Sequence, residues 1–174
     1  MKTFAQEGEA LTGTTPLKSM ERLSLEAHDL PAGAAIDWQA QAELRASPAA
    51  EDVVWLHLKA HTVIPLTCQR CMTAVATPLN VEQLYRFVDT EEIAMAEDDE
   101  SEEDLLVMEP QFDLQALIED ELVMALPLVP MHEHCPSPQV FSAIDEDFGA
   151  TDDKKPNPFD VLAQLKSKKS QGES

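Results

Sequence analysis

The sequence predicts an α+β fold: an antiparallel β-sheet or partly open barrel packed by one main helix, with a short C-terminal helix. Three observations predict it. Apolar and polar residues alternate with a period of two over several stretches of the first half. Around residues 113–126 the apolar spacing becomes helical. Around 157–165 a helix-start signal precedes apolar residues three apart. At 174 residues, the chain is a natural size for one domain with attached segments. The expected organisation is a lead-in over 1–20, one α+β domain over 21–150, and a tail over 151–174.

Residues 1–20 are polar and poorly patterned, and Gly13 and Pro16 argue for an extended lead-in. A short helix around Lys2 to Ala10 is compatible with this stretch. In MERLSLEAHDL, Leu23, Leu25 and Ala27 alternate with Arg22, Ser24 and Glu26, which predicts a strand. AIDWQAQAELRA repeats the alternation through Ile36, Trp38, Ala40, Ala42 and Leu44. VVWLHLKAHTV does so through Val54, Leu56, Leu58 and Ala60. The turn-like runs Leu30-Pro31-Ala32-Gly33 and Ala46-Ser47-Pro48 separate these strands.

VATPLNVEQLYRFV alternates again through Val75, Thr77, Leu79 and Val81. The pattern slips near Gln83–Tyr85, which predicts a bulge, and Pro78 predicts an edge position or a strand end. Residues 89–104, DTEEIAMAEDDESEED, predict a mobile acidic loop. Leu105 to Met108 predict another short strand.

FDLQALIEDELVMALPLVP carries the main helix. Asp113 is the N-cap, and Leu114, Leu117, Ile118, Leu122 and Ala125 follow at helical spacing. Pro127 stops it. Glu119, Asp120 and Glu121 form an acidic cluster on this helix, either a solvated face or a docking surface for a basic partner. KKPNPFDVLAQLKSKK predicts the last helix, with Asn157 as N-cap and Pro158 at the first helical position. Phe159, Leu162 and Leu165 then share one side, and Lys166, Lys168 and Lys169 sit near its end. So short a helix needs a surface to cover its stripe, either the main domain or, the favoured reading, a partner.

The formal net charge is −21. That disfavours extensive phosphate contact and anionic membrane surfaces, and favours basic partners. No Lys or Arg occurs between Arg86 and Lys154, while Lys154 and Lys155 open a short basic tail. No apolar run approaches a membrane span, and MKTFAQEGEALTG has no apolar signal-peptide core. Three cysteines do not make a disulfide framework, so a reducing, cytoplasmic location is expected.

Cys68 and Cys71 form a Cys-x-x-Cys pair in LTCQRCMTAV, and MHEHCPSP supplies His132, His134 and Cys135. Three thiolates and either histidine complete a four-ligand structural zinc site. Buried thiols without metal are the competing reading. Redox catalysis fits less well, because the pair lies between strands rather than before a helix. Arg70, inside the pair, can stabilise a thiolate. Glu133 has no HExxH-type surroundings for catalytic zinc. His28, His57 and His61 read as polar strand residues. The five glycines are not grouped into a phosphate loop, and no Gly-x-Ser-x-Gly elbow occurs. No catalytic residues assemble, so a non-enzyme is expected.

LTCQRCMTAV, LIEDELVMALPLVPMHEHC and KPNPFDVLAQLK, in this order, together with LTG followed by MERL, make the chain resemble the YceD-like family of large ribosomal RNA subunit accumulation proteins. The resemblance spans nearly the whole chain. It implies a bacterial factor for synthesis, processing or stability of large-subunit (23S) ribosomal RNA, with no catalytic residues. The matching positions are Cys68, Cys71, Glu119, Asp120, Glu121, Pro127, Pro130, His132 and Cys135. In the tail they are Asn157, Pro158, Phe159, Leu162 and Leu165. Joined to the charge, it implies an assembly factor that binds a basic ribosomal or RNA-processing protein and reaches the RNA or its precursor directly or through that protein. Two alternatives stand beside it. One is direct RNA binding by the tail lysines with Arg22, Arg45 and Arg86. The other is a metal- or thiol-dependent RNA-processing enzyme.

Overall fold

A computed structural model describes residues 1–46 and 52–136. The elements in chain order are α1 (Lys2–Glu7), β1 (Ala10–Pro16), α2 (Glu21–Leu25), β2 (Ala35–Arg45), β3 (Val53–Thr67), β4 (Ala74–Val88), α3 (Glu91–Glu97), β5 (Asp104–Val107) and α4 (Leu114–Met124). The strands form one open sheet in the order β1-β2-β3-β4-β5. The first four make an antiparallel meander, and β5 joins β4 in parallel. All described residues lie in one compact unit, Met1–Gln139. Among them, no helix is long and apolar enough to cross a membrane.

The alternation places one row of each strand in the core. Ile36, Ala40, Val54, Leu56, Leu58, Leu79 and Tyr85 are all buried, and Ile118 and Leu122 of α4 lie against this layer. Asp113 caps α4 through its carboxylate, which accepts the N–H groups of Gln115 (2.9 Å) and Ala116 (3.1 Å). That satisfies donors the first helical turn leaves open.

Two strands outrun the sheet. β2 pairs with β3 only as far as Asp37↔His61, yet β3 and β4 stay paired to Thr67↔Ala74. The far end of this hairpin is therefore a two-stranded ribbon, with the Cys68–Cys71 turn at its tip.

Four expectations are corrected. The strand expected from residue 20 is the helix α2, with Leu23 buried and Leu25 83% exposed. So short an alternation, with only Leu23 and Leu25 inside the element, fits one helical turn as well as a strand, and the side chain of Glu119 accepts the N–H groups of Arg22 (2.6 Å) and Leu23 (3.1 Å) at its start. The lead-in over 1–20 holds the edge strand β1 after the short helix α1, which matches the helix read around Lys2 to Ala10. Residues 89–104, expected as a loop, contain α3. Thr90 caps it, accepting from the N–H of Ile93 at 3.4 Å, and Glu91 and Glu92 suit the positive end of its dipole. Finally, no bulge interrupts Gln83–Tyr85, because the register runs unbroken from Trp55↔Arg86 to Thr67↔Ala74. Gln83 simply occupies a core-row position at the margin, where its amide donates to Asp104.

Other expectations hold. β5 covers most of Leu105–Met108, and Pro78 lies where β4 has no partner on its second side, since β5 pairs only with Tyr85–Val88. The helix expected from Asn157, Pro158, Phe159, Leu162 and Leu165 lies outside the described residues, as do the tail lysines.

Candidate functional site

The Cys68–Cys71 turn closes the β3–β4 ribbon. The N–H of Cys68 donates to the carbonyl of Thr73 (2.9 Å), and the N–H of Met72 donates to the carbonyl of Cys68 (2.8 Å). Met72 takes the left-handed conformation at φ 59°, which turns the chain back into β4.

The second half of the site arrives from α4. Pro127 and Pro130 stiffen the chain as it leaves the helix. The N–H of Gln69 donates to the carbonyl of Pro130 at 2.9 Å, which lays this segment against the ribbon tip. Arg70 completes the junction. Its guanidinium donates to the carbonyls of His132 (2.8 Å) and Glu133 (3.2 Å), and its Nε donates to Cys135 Sγ (3.0 Å).

Four ligand atoms converge as a result. Those of Cys68, Cys71, His132 and Cys135 all lie within 4.8 Å of one another. Cys68 Sγ is 3.9 Å from Cys135 Sγ, and Cys71 Sγ is 3.4 Å from His132 Nδ1. Sulfurs bound tetrahedrally to one zinc stand roughly 3.8 Å apart, from the usual Zn–S bond length. The group therefore could hold a metal ion without rearrangement of the backbone. His134 is exposed and lies outside the group, so His132 is the histidine that the fold brings in.

The four donors are tuned unequally. Burial raises the Cys68 thiol, but backbone N–H groups of His132, Cys71 and Arg70 outweigh it and bring it down to about 5. The Thr73 hydroxyl lowers Cys71. Cys68 raises the His132 imidazole. Burial raises Cys135, against the pull of Arg70. Three thiol donors and one imidazole make up a four-donor set of the kind that holds zinc.

The acidic cluster is placed differently from expectation. Glu119 is spent inside the fold: it caps α2, and its side chain is 13% exposed. Asp120 pairs with Arg22. Glu121 is half-buried and helps raise the Tyr85 phenol, after burial itself. The three do not form a free acidic face. Nothing in the local sequence marks this, since the partners of Glu119 lie 97 and 96 positions away.

The arginines considered for RNA are likewise engaged. Arg22 faces Glu119 and Asp120, Arg45 faces Glu43, and Arg86 faces Glu97 and Glu103. His28, His57 and His61 are strand or turn polar residues, hydrogen-bonded with Thr67 (3.1 Å), Glu82 (3.0 Å) and Asn80 (2.8 Å) respectively.

Comparison with known proteins adds an independent line. A sequence model of the family described as large ribosomal RNA subunit accumulation protein YceD matches residues 56–166. The chain is also similar to the large ribosomal RNA subunit accumulation protein YceD of Haemophilus influenzae, 39% identical over 117 residues. That similarity covers 60% of this chain and 61% of the relative's length. No solved structure matches. The matched segment, 56–166, takes in the Cys-x-x-Cys ribbon, α4 and the His132–Cys135 segment, and it exceeds half the chain. The chain therefore belongs to the YceD family of large ribosomal RNA subunit accumulation proteins.

Proposed function

We propose that this chain supports accumulation of large-subunit (23S) ribosomal RNA as a non-enzymatic factor, by binding a basic ribosomal or RNA-processing protein. Family membership carries the role. The charge carries the mechanism: a chain of net charge −21, with no Lys or Arg from residue 87 to 153, attracts cationic proteins and repels phosphate. The pairing of Arg22, Arg45 and Arg86 with carboxylates supports protein rather than RNA as the direct partner. Removing the gene should lower large-subunit relative to small-subunit ribosomal RNA. Affinity purification at low and moderate salt should recover a basic protein. Unchanged RNA levels would sink the role, and recovery of RNA alone would sink the mechanism.

The cysteine cluster belongs to the same reading as its scaffold. A zinc ion held by Cys68, Cys71, His132 and Cys135 would bind the ribbon tip to the segment after α4 and supply a fixed cross-link there. The donor types and their spacing support it. Elemental analysis of protein purified without chelator tests it, and a metal-free product would remove it.

A further inference from the structure

Beside the ribbon tip, a cleft opens between the end of α2 and the loop that follows α4. Its lining includes Leu25, Glu26, Asp29, Leu126 and Leu128, and no Lys or Arg. Leu25 is 83% exposed and Leu128 100% exposed. Val129 and Met131, on the same loop, are also exposed. Leu25 and Leu128 thus border a cleft whose remaining lining is chiefly polar, which suits a segment that carries both an apolar and a charged side chain.

The loop is not free to collapse over these side chains. Pro127 and Pro130 restrict its backbone, Gln69 holds the Pro130 carbonyl, and Arg70 holds those of His132 and Glu133. A surface held ready in this way loses less freedom on binding. The rim is acidic. Glu26 is exposed, and the side chain of Asp29, 3.7 Å from His28 Nε2, is 97% exposed on a residue in the left-handed conformation, φ 52°.

We propose that this cleft is the docking site for a basic segment of a large-subunit ribosomal protein. The segment seats an apolar side chain between Leu25 and Leu128 and sets Lys or Arg against Glu26 and Asp29. The inference rests on the proposed function and gives it a location. Charge complementarity selects the occupant. RNA would bring phosphate to the carboxylates. A second copy of this chain, in a two-fold contact, would bring one acidic rim against another.

The test uses the full chain and proteins extracted from purified large ribosomal subunits, followed by calorimetry with each protein retained. Leu25→Ser/Leu128→Ser removes the apolar contact, and Glu26→Lys/Asp29→Asn reverses the charge of the rim while keeping a side chain that tolerates the left-handed backbone at 29. Both pairs are exposed, so melting temperature and zinc content should match the wild type. The expected result is capture of a basic protein by the wild type, weakened about tenfold or more by each double variant. The charge reversal should also flatten the salt dependence. Equal capture by wild type and both variants overturns the site while leaving the proposed function in place. Capture of none of these proteins overturns the partner, and the ribosomal RNA levels then judge the family role separately. Self-association of the wild type that Leu25→Ser/Leu128→Ser abolishes would assign the cleft to a second copy and overturn the proposal.

Discussion

Cys71 Sγ stands 3.4 Å from His132 Nδ1, although 61 positions separate the two residues. The contact joins the far end of the β3–β4 ribbon to the chain leaving α4. If one zinc ion completes it, substitution separates ligands from bystanders. Cys68→Ser, Cys71→Ser and His132→Ala should each lower zinc content well below one ion per chain, whereas His134→Ala should leave it unchanged. Mass-spectrometric metal analysis decides. Loss of zinc in His134→Ala and its retention in His132→Ala would show that the wrong histidine has been assigned.

Metal removal should loosen the site rather than the sheet. An ion held at a thousandfold excess over its dissociation constant stabilises by about 4 kcal/mol. Chelation should therefore lower the melting temperature. Hydrogen exchange should rise first at residues 68–72 and 128–135, while β2 and the paired part of β3 stay protected. Uniform loss of protection would contradict this.

Arg70 should act on the site through its neighbours. Its guanidinium holds Cys135 Sγ and two carbonyls of the opposite segment. Outer partners of this kind are worth about 10–100-fold in metal affinity. Arg70→Met should reduce zinc affinity by that order in competition with a chromophoric chelator. Arg70→Lys should fall between, because it keeps the charge and loses the fork.

Glu119 is expected to matter for stability. Its carboxylate accepts two N–H groups at the start of α2, so Glu119→Ala should cost about 1–2 kcal/mol in urea denaturation. Because that carboxylate is spent inside the fold, partner capture at permissive temperature should be unchanged. A loss of capture without a loss of stability would return Glu119 to the docking surface.

Glu82 gives a sign for acid sensitivity. Lys59 first, and His57 after it, hold its carboxyl below the usual range in the folded chain. A depressed folded value means stability that is present above the unfolded pKa and lost as pH falls through the folded one. Glu82→Gln should therefore flatten the stability profile below roughly pH 4.5, near the ordinary carboxylate value, and leave neutral pH little changed.

Gly13 shows how tertiary packing acts back on a single position. A Cβ there would collide with the indole of Trp38, whose Nε1 donates to Thr15 Oγ1 at 3.0 Å. In the sequence, Gly13 reads only as a break in a polar lead-in. In the fold it is the gap in β1 through which Trp38 crosses, opposite it in the sheet.

Much of the sheet was readable because alternation is local. Ile36 to Leu44, Val54 to Ala60 and Leu79 to Val81 show their faces within a few residues, and a strand with one buried face demands that pattern. Asp113 was readable for the same reason, since a cap bonds two and three residues ahead. α2 was not, because its short alternation fits two geometries and its cap comes from Glu119, 97 positions away.

The cysteine spacing in the sequence by itself determined that two thiols share a turn, and the residue types of MHEHC determined which donors were on offer. The ordered motifs determined the family, and the charge pattern determined the acidic character of the chain. Only the tertiary structure decided that His132 rather than His134 joins the thiols, that Arg70 closes the site, and that Leu25 and Leu128 face one cleft. Those outcomes depend on how far the ribbon extends beyond β2 and on the angle at which two prolines carry the chain from α4. Both are set by contacts between segments far apart in sequence, which no local pattern encodes.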